Sequence, residues 1–459
     1  MNILYSLSIL LYGLGIRVAA LFNPKARKWV EGRKGLFRKL DENLKLSNGS
    51  WKGNVWFHCA SLGEFEQGLP VIEGFRERYP DYRIIITFYS PSGYEVRNRY
   101  EGAEGIFYMP LDTPWNAQRW IKRLNPKLVF FIKYEYWFNF LKELNKRKIP
   151  VFIISAIFHE NQPFFKSYGS WFKKQLNHIS WFFLQSDETK KLAESLEIKN
   201  FTIAGDTRFD RVASIREKRK PFPLIELFAK DSKLFLGGSS WEPDEAIILD
   251  LIKQNPPNLK FIIAPHEVHA SRIEALVASL QLAVGSLQSS APRYHGTTAP
   301  AHQLTSSPAH QLTSSPVLLY SELTPENATS ARVIVVDSIG ILAHLYQYAS
   351  FSFIGGGFGV GIHNILEAAA FGNPVLFGPN FQKFTEAREL IRLGGAFSVR
   401  DKREFAAVMK ELLQSDEEYQ KISSICQNYV ESNRGATRRI LQGIQTLGFI
   451  APPKNNSLL

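Results

Sequence analysis

The sequence of 459 residues is poor in cysteine and lacks several motifs that mark common enzyme classes. Cys59 and Cys426 are the only cysteines, which excludes a disulfide framework or a Cys-rich zinc site and makes a reducing compartment the simpler expectation. No Asp-x-Asp, His-Glu-x-x-His, Gly-x-Ser-x-Gly or Walker-type Gly-Lys-Ser/Thr sequence occurs. Metal-dependent glycosyl transfer, zinc hydrolysis, serine-esterase chemistry and P-loop ATP hydrolysis therefore lose support.

Long apolar runs are also scarce, apart from one at the N-terminus. Arg17 is the only charged side chain between Met1 and Phe22, whereas residues 23–40 carry seven Lys/Arg against Glu31 alone. This block contributes +6 of the formal net charge of +12, so the positive charge indicates lipid rather than nucleic acid as its partner. Each cation near anionic lipid contributes roughly 1 kcal/mol. We predict a membrane anchor over residues 1–22 that binds anionic membrane lipids and leaves the remaining chain on the cytoplasmic side.

Two other interpretations of this segment exist: a cleaved signal peptide, with a passable cleavage site near Val18, and an ordinary core helix. A signal peptide is disfavoured because no Lys or Arg precedes the apolar run, while the dense basic block behind it opposes export. Whether the anchor spans the bilayer or lies in its interface stays open, since 22 residues with one arginine suit both arrangements.

Short apolar runs alternate with amphipathic stretches along the rest of the chain. The runs are continuous, as expected for parallel strands that are covered on both faces, and they indicate an α/β fold. The predicted strands are residues 55–60, 83–88, 128–132, 151–156 and 181–184, then 234–236, 261–264, 333–336, 351–354 and 375–377. A charged, proline-bearing linker at 216–223 separates the series. We predict two Rossmann-like domains, residues 23–215 and 224–459, which face a cleft.

A low-complexity insertion is predicted at residues 288–316. Its composition changes to Ser, Thr, Ala, Pro and His, and the sequence Pro-Ala-His-Gln-Leu-Thr-Ser-Ser occurs twice in tandem, from Pro300 and from Pro308. Metal binding by its two histidines is the weaker interpretation, and a surface loop without a catalytic role is the expected one.

The most informative segment runs from Phe353 to Glu367. An apolar strand leads into glycines at 355, 356, 357, 359 and 361 and then into a predicted helix opened by His363 and Asn364. Glycines permit tight turns and close approach to a ligand, and unpaired N–H groups at a helix start attract phosphate. The pattern predicts an anion cradle, with Glu367 positioned to accept hydrogen bonds from sugar hydroxyls; the alternative is a tight turn without a ligand.

A second group of candidates follows strands of the first domain. Glu64 comes after the first strand, at the start of a helix, where its carboxylate could take a proton from an attacking hydroxyl. Ser61 and Glu64 also match a capping box, Ser-x-x-Glu, which requires no chemistry, and the spacing does not decide between the two. Glu135 and Arg208 follow further strands and are expected at the same rim.

At this point the residues resemble a known family, the 3-deoxy-D-manno-octulosonic acid (Kdo) transferases of lipopolysaccharide assembly, glycosyltransferase family 30. The likeness rests on four motifs in the expected order, together with the N-terminal anchor. They are His58-Cys-Ala-Ser-Leu-Gly-Glu64, Glu135-Tyr-Trp137 with Asn139, Asp337-Ser-Ile-Gly340, and Gly355 to Glu367 continuing through Gly378-Pro-Asn-Phe381 to Phe384. The resemblance implies the GT-B architecture and transfer of Kdo from CMP-Kdo to the lipid A precursor (lipid IVA), with inversion, at the cytoplasmic face of the inner membrane.

The resemblance also implies roles for individual residues. Glu64 is similar to the family's general base, and His58, Ser61, Glu135 and Arg208 are further candidates in the cleft. The implied donor contacts are Ser239, Gly355, Gly356, Gly357, His363, Asn364 and Glu367, with no metal and no cofactor, because helix-end and cationic groups can stabilise the departing CMP.

The sequence departs from the family pattern at three places. It has Ser239-Ser-Trp-Glu242 where many members have Ser-Thr-His-Glu, a Pro265 to Arg272 segment in place of Pro-Arg-His-Pro-Glu-Arg, and Arg208 for the usual lysine. Individual phosphate and carboxylate contacts are therefore less well defined than the fold. The competing hypotheses are a GT-B transferase or epimerase that uses another nucleotide sugar, and a non-enzymatic, membrane-tethered basic adaptor.

Overall fold

A computed structural model describes residues 1–46, 49–289 and 316–453, and it contains two compact units. The first comprises Met1–Arg211 and the chain from Asn433 onward, and the second comprises Val212–Ser432. Most of the predicted insertion at 288–316 lies outside the described residues.

The first unit contains a seven-stranded parallel sheet with the strand order β3-β2-β1-β4-β5-β6-β7. Its strands are β1 (Gly53–Cys59), β2 (Tyr82–Phe88), β3 (Gly105–Tyr108), β4 (Pro126–Ile132), β5 (Val151–Ala156), β6 (Trp181–Leu184) and β7 (Phe201–Ile203). The central strands are apolar at successive positions because helices cover both faces, so that Trp56 and Phe57, on opposite faces of β1, are both fully buried.

Helices on both faces bury the sheet of the first unit. They are α1 (Asn2–Ala19), α2 (Pro24–Gly32), α3 (Leu36–Leu46), α4 (Leu62–Arg78), α5 (Pro91–Arg97), α6 (Pro114–Leu124), α7 (Phe138–Lys146), α8 (Ser170–Gln175), α9 (Asp187–Ser195) and α10 (Thr207–Glu217). The helix α1 is long and apolar enough to cross a membrane by length and composition, and 6% of it is buried.

The second unit contains another seven-stranded parallel sheet, ordered β10-β11-β9-β8-β12-β13-β14. Its strands are β8 (Lys233–Ser240), β9 (Leu259–Pro265), β10 (Val317–Leu319), β11 (Val333–Val335), β12 (Phe351–Ile354), β13 (Val375–Phe377) and β14 (Ala396–Ser398). Its helices are α11 (Pro223–Ala229), α12 (Glu242–Gln254), α13 (Ala270–Ser289), α14 (Pro325–Ala328), α15 (Leu342–Leu345), α16 (Leu366–Ala370), α17 (Thr385–Leu393), α18 (Lys402–Gln414) and α19 (Asp416–Ser432). Two parallel α/β units confirm the predicted fold class.

The chain returns to the first unit after Ser432, which the sequence did not predict. The last helix, α20 (Ala436–Thr446), was assigned with 224–459 to the second domain, yet its buried residues Ile440, Leu441 and Ile444 belong to the core of the first. Asp210 reinforces this return, because its carboxylate accepts hydrogen bonds from the backbone N–H groups of Gly435 and Thr437, each at 2.6 Å. An amphipathic helix at the end of the chain can pack on either sheet, so only the tertiary contacts show to which unit α20 belongs.

One cation of the basic block at residues 23–40 is buried in the protein. Arg33 donates to the carbonyl oxygens of Met109 and Tyr89, both at 2.8 Å, and its guanidinium lies 3.7 Å from the Trp29 ring centroid. Burial lowers the pKa of Arg33 to about 9. Arg33 therefore holds α2 against the ends of β2 and β3 and does not face lipid.

Candidate functional site

In both sheets the strand order reverses beside the first strand of the unit. β1 lies between β2 and β4, and β8 lies between β9 and β12. At such switch points the loops after the two neighbouring strands diverge and leave room for a ligand at the carboxyl ends. Glu64 lies on the first turn of α4, directly after β1, and Glu135 lies in the loop after β4. Ser239 lies at the carboxyl end of β8, and the glycine-rich segment follows β12.

Glu64 lies where β1 passes into α4. Ser61 is the N-cap of this helix, and Oε2 of Glu64 accepts hydrogen bonds from the Ser61 backbone N–H at 3.1 Å and from the Ser61 hydroxyl. The capping box that the sequence offered as an alternative is therefore present. Within the described part of the chain, the hydrogen bonds to this half-buried carboxylate end on Oε2, which leaves Oε1 able to take a proton.

Glu135 follows β4 and lies close to Glu64. Lys133, at the end of the strand, has a φ of 75°, a left-handed conformation that turns the chain sharply before Glu135. The Glu135 side chain is 13% exposed, and its burial, followed by the charge of Glu64, raises its pKa to about 7. Two neighbouring carboxyl groups thus differ at neutral pH, because Glu135 carries a proton about half of the time.

His58 lies at the same end of the sheet and is fully buried on β1. Its Nε2 is 3.9 Å from Oε2 of Glu135, and its Nδ1 is 2.9 Å from Oγ1 of Thr87. Trp56 also donates its indole N–H to Oγ1 of Thr87, at 2.8 Å. Burial lowers the pKa of His58 to about 3, so the ring is neutral at physiological pH. His58 supports the Glu135 segment as an uncharged group.

Arg208, a further candidate, belongs to a separate network at the start of α10. Its Nε donates to Oδ2 of Asp206 at 2.7 Å, while Oδ1 of Asp206 accepts from Nε2 of Gln67 at 3.0 Å. Gln67 lies on α4, one turn after Glu64. The Arg208 charge is thus paired within the protein, and this network fastens α10 to the helix that carries the candidate base.

The sequence missed Asp112, which organises the same end of the first unit. This fully buried carboxylate accepts hydrogen bonds from the Tyr5 hydroxyl at 2.6 Å and from the backbone N–H groups of Asn139 at 3.2 Å and Phe140 at 3.0 Å. Burial raises its pKa to about 6. Asp112 therefore joins α1 to the start of α7, directly after the segment that carries Glu135. An acid just before the Thr113 N-cap was the available sequence signal.

The glycines after β12 allow neighbouring strand ends to pack closely. A Cβ atom at Gly355 would lie 2.2 Å from the Ser239 carbonyl oxygen, and one at Gly357 would lie 2.5 Å from the Gly378 nitrogen. Ser239 itself has a φ of 52° where the register of β8 shifts, so this end of the strand is strained. The first requirement for glycine at 355 and 357 is backbone packing.

Several N–H groups that the sequence assigned to an anion already have protein acceptors. The N–H of Gly355 donates to the Gly238 carbonyl at 2.9 Å, and that of Gly356 donates to Oδ2 of Asp244 at 2.9 Å. The N–H of Gly361 donates back to the Gly356 carbonyl at 3.2 Å. Gly355 and Gly356 therefore shape the loop, and their own N–H groups do not cradle a phosphate.

The helix after this loop begins later than predicted, which corrects the expected helix opened by His363 and Asn364. α16 begins at Leu366, and the Asn364 side chain bonds to its first turn: Oδ1 accepts from the Leu366 N–H at 3.2 Å, and Nδ2 donates to Oε1 of Glu367 at 3.1 Å. Glu367 lies on the first turn, as expected. The two predicted donor contacts Asn364 and Glu367 are thus joined directly.

His363 is part of an aromatic stack that the sequence did not anticipate. Its ring lies 4.4 Å from the His266 ring at an interplanar angle of 19°, and His266 stacks on Trp241 at 4.8 Å. The Trp241 indole N–H donates to Nε2 of His363 at 3.3 Å. Burial and the neighbouring His266 lower the pKa of His363 to about 4. His363 is therefore neutral with its proton on Nδ1, a donor but not a cation.

Arg272 and Ser240, from the two segments that depart from the family pattern, belong to an ion-pair network that is buried except at Glu242. Arg272 pairs with Glu242 at 3.1 Å and with Glu245 at 2.5 Å, and the Ser240 hydroxyl donates to Glu245 at 2.8 Å. These contacts join α12 to α13 and engage the Arg272 charge. His269 is exposed and contacts Glu267, away from the aromatic stack.

Within the ranges that the structure describes, no group of three His, Cys, Asp or Glu side chains is arranged to hold a metal ion. What the described residues offer is a carboxylate with one oxygen available beside a second, partly protonated carboxyl, and, on the other unit, a strained loop with neutral histidine and amide groups. The first suits proton removal from a hydroxyl, and the second suits polar contacts to a sugar nucleotide.

Comparison with known proteins supports this chemistry. Residues 30–211 match the family model described as 3-deoxy-D-manno-octulosonic-acid transferase (kdotransferase). The chain is 26% identical to the 3-deoxy-D-manno-octulosonic acid transferase of Chlamydophila psittaci, over 79% of this chain and 78% of that protein. It is also 26% identical to the enzyme of that name from Haemophilus influenzae, over 84% of this chain and 85% of that protein.

A solved structure carries the same fold. The UDP-GlcNAc 2-epimerase from Neisseria meningitidis, bound to UDP-GlcNAc, is 17% identical, covers 86% of this chain and 100% of its own, and has a TM-score of 0.58. At this identity the likeness concerns the fold alone. The family match and the relatives leave no support for the non-enzymatic adaptor. The family match over residues 30–211 and these relatives indicate a Kdo transferase, so the chain is a glycosyltransferase.

Proposed function

We propose that this chain transfers Kdo from CMP-Kdo to the lipid A precursor (lipid IVA), with inversion at the anomeric carbon. The match of residues 30–211 to the Kdo transferase model, together with the relatives of that name, supports Kdo transfer in lipopolysaccharide biosynthesis. The observation that carries the finer proposal is the pairing of Glu64, whose Oε1 can accept a proton, with Glu135, whose pKa is raised to about 7.

In the proposed reaction Glu64 is the general base. It removes the proton from an acceptor hydroxyl while the hydroxyl oxygen attacks the anomeric carbon of Kdo from the face opposite the phosphate. The bond from that carbon to the CMP phosphate oxygen breaks, CMP leaves as a phosphate monoester, and the proton on Glu64 passes to water. Glu135, in its protonated form, limits the negative charge beside Glu64.

The donor contacts are proposed for the second unit. Gly355, Gly356 and Gly357 bring the ends of β8, β12 and β13 together, so that Ser239 and the loop up to Asn364 line one edge of the sheet. We assign His363 as a neutral N–H donor through Nδ1, and Asn364 and Glu367 as a linked pair that contacts sugar hydroxyls. Since His363 is uncharged, it contributes hydrogen bonding to the phosphate or carboxylate and no net charge.

The proposed location is the cytoplasmic face of the inner membrane. The apolar helix α1 and the exposed cations that follow it, such as Lys25 and Lys34, support attachment to anionic lipid. A lipid-linked acceptor is accessible to an enzyme held at that surface.

Glu64 can act as a general base or only as part of the helix capping box. A comparison of Glu64→Gln with Ser61→Ala distinguishes these two roles. Glutamine at the third helical position still completes a capping box but cannot take a proton, so Glu64→Gln should lower the transfer rate by roughly 10² or more at an unchanged melting temperature. Ser61→Ala should cost about 1 kcal/mol of stability and retain most of the rate. The assay is incubation with a CMP-Kdo-generating system and lipid acceptor, read by mass spectrometry. A fully active Glu64→Gln would refute the assignment.

The donor is tested by thermal shift with CMP, UDP and GDP. CMP should raise the melting temperature of the wild-type chain, and Asn364→Ala should weaken that shift because it removes the partner of Glu367. The matched control is Asn380→Ala, since Asn380 lies on the neighbouring loop and donates to the Gly359 carbonyl at 2.7 Å. Stabilisation by UDP and not by CMP would replace the proposed donor with another nucleotide sugar.

A further inference from the structure

The N-terminal helix α1 has one face that is shielded along its whole length. The half-buried or buried positions of this segment are Tyr5, Ser6, Ile9, Gly13, Ile16 and Ala20, and from Ser6 onward they recur every three or four residues. This spacing places them on a single stripe of the helix and of the turn that follows it. This stripe is the face of the helix that is turned toward the first unit.

Specific contacts hold the N-terminal half of α1. The Tyr5 ring packs edge-on against Phe138, with centroids 5.1 Å apart, and against Trp171 at 5.7 Å. Its hydroxyl donates to Asp112 at 2.6 Å, and the Trp171 indole N–H donates to Oδ1 of Asn2 at 2.8 Å. The very start of the helix is thus bound to the same unit as its middle.

The middle and the end are held as well. Gly13 is buried so close to Leu111 that a Cβ atom at position 13 would lie 2.6 Å from the Leu111 side chain. Beyond the helix, Nε of Arg27 donates to the Ala20 carbonyl at 3.3 Å. An 18-residue helix is about 27 Å long, a little less than the roughly 30 Å of a hydrocarbon core, and contacts at Asn2, Tyr5 and Gly13 join its first two thirds to the first unit.

The opposite face of α1 is apolar and exposed. Nine large side chains on this face and the following turn are between 49% and 85% exposed: Ile3, Leu4, Leu7, Leu10, Leu11, Leu14, Val18, Leu21 and Phe22. They recur at helical spacing and form one continuous surface. Soluble proteins rarely expose so large an apolar patch unless something covers it.

The charged side chains next to this apolar face indicate what kind of surface covers it. Lys25 and Arg27 are exposed directly after Phe22, and Lys34 and Lys39 are exposed on the two following segments, while Arg33 is turned into the protein. An apolar stripe bordered by cations complements an anionic lipid surface, in which acyl chains meet the stripe and phosphate headgroups meet the lysines.

We propose that α1 lies in the plane of an anionic membrane surface as an interfacial anchor, with Tyr5 and Gly13 docked on the first unit and the leucine face inserted between lipids. A spanning helix would have to separate from the unit. It would then forfeit the Tyr5–Asp112 hydrogen bond and leave Asp112, a fully buried carboxylate, short of a partner. This inference deepens the membrane location proposed above and does not depend on which sugar is transferred.

The side of the membrane on which Asn2 lies tests the proposal. The full chain carrying Asn2→Cys is produced in bacteria, and spheroplasts are treated with a membrane-impermeant thiol reagent; Lys45→Cys on α3 is the matched control. Cys59 and Cys426 are buried and do not compete. An in-plane helix leaves Asn2→Cys unlabelled in intact spheroplasts and labelled after lysis, as for Lys45→Cys. Labelling of Asn2→Cys from outside would show that α1 spans the bilayer and would overturn the proposal.

Vesicle flotation tests the lipid face itself. The purified chain should float with vesicles that contain phosphatidylglycerol, more weakly at high salt, and the pair Leu11→Glu with Leu14→Glu should weaken binding by roughly 100-fold because two large side chains are lost from lipid. Tyr5→Phe, which alters only the docked face, should bind vesicles as the wild type does and melt at a lower temperature.

Self-association of the chain is the other outcome that tests the membrane anchor. A wild-type chain that self-associates through this face and ignores vesicles would identify a second copy as the cover and overturn the proposal. Because flotation and labelling need no substrate, they can succeed where the transfer assay fails, and the reverse also holds. The anchor geometry and the proposed function can therefore fail independently.

Discussion

The two units place an acid at the same position and use it differently. Glu64 and Asp244 each lie on the first turn of the helix after the first strand of their sheet, and each accepts the N–H of the N-cap residue, Ser61 at 3.1 Å and Trp241 at 2.9 Å. Asp244 is fully buried and also binds the N–H of Gly356, whereas Glu64 is half-buried beside another carboxyl.

The comparison teaches that capping geometry alone does not reveal a function. The burial of Asp244 raises its pKa and commits the carboxylate to holding two loops together. The partial exposure of Glu64 leaves one oxygen available for a proton. The same capping arrangement is structural in one unit and suited to proton removal in the other. The following experiments test that difference.

The largest stability effect is expected at the glycine loop. Gly355→Ala should lower the stability of the second unit by about 3 kcal/mol, because the new methyl group would meet the Ser239 backbone oxygen and neither strand end can move freely. Gly359→Ala in the same loop is the control, since its nearest neighbour would be 3.6 Å away. Thermal unfolding measures both. Equal melting temperatures for the two variants would show that this loop is not held by packing.

Glu135→Gln should change how the stability of the first unit depends on pH. The folded pKa of Glu135 is raised to about 7 from 4.5, so the folded state favours the protonated form and its contribution to stability falls as pH rises from 4.5 to 7. Glutamine cannot ionise, so the variant should gain about 3 kcal/mol relative to wild type between pH 4 and pH 8.

Chemical denaturation across this pH range measures the effect. Asp112 and His58, whose pKa values are also shifted, titrate in both proteins and cancel in the difference. Parallel stability curves for wild type and Glu135→Gln would mean that Glu135 is not the titrating carboxyl, and the contrast between the two acids of this unit would disappear.

A smaller loss is expected when the structural acid is removed. Asp244→Ala should cost about 2 kcal/mol, since it leaves the N–H groups of Trp241 and Gly356 without their acceptor inside the protein. Asp244→Asn keeps an oxygen in that place and should retain most of the stability. If thermal unfolding found the alanine variant as stable as the asparagine variant, Asp244 would not be the link between the two loops.

The smallest effect concerns the aromatic stack. His266→Ala removes a neighbouring ring that lowers the pKa of His363, so that pKa should rise from about 4 toward 6.5. A histidine-selective NMR titration follows it. His269→Ala is the control, because His269 is exposed and contacts Glu267. If the pKa of His363 were unchanged in His266→Ala, burial alone would be the cause of its low value.

The central strands could be predicted from the sequence, and the edge strands could not. The four strands that went unpredicted, β3, β7, β10 and β14, all lie at the edges of their sheets. They are three or four residues long and only partly covered, as for β7, none of whose residues is buried. The continuous apolar pattern depends on burial on both faces, so it weakens where one neighbour is missing.

The candidate site was predictable where a single segment carries it. The positions of Glu64 on a first helical turn and of Glu367 on another follow from local spacing. Asp112 and Asp244 were missed because their partners lie far away in sequence, Tyr5 for Asp112 and Gly356 for Asp244. Nothing in the spacing around such a residue records a partner more than a hundred positions away.

The sequence by itself determined the parallel α/β class, the apolar N-terminal helix, the glycine loop and the resemblance to Kdo transferases, because each depends on residues that are neighbours along the chain. The tertiary structure alone decided that Arg33 is buried and that α20 returns to the first unit. It also decided that the capping acid Asp244 is fully buried while Glu64 keeps one oxygen available. Those outcomes depend on how much water each side chain retains after packing, a quantity that only the assembled contacts set.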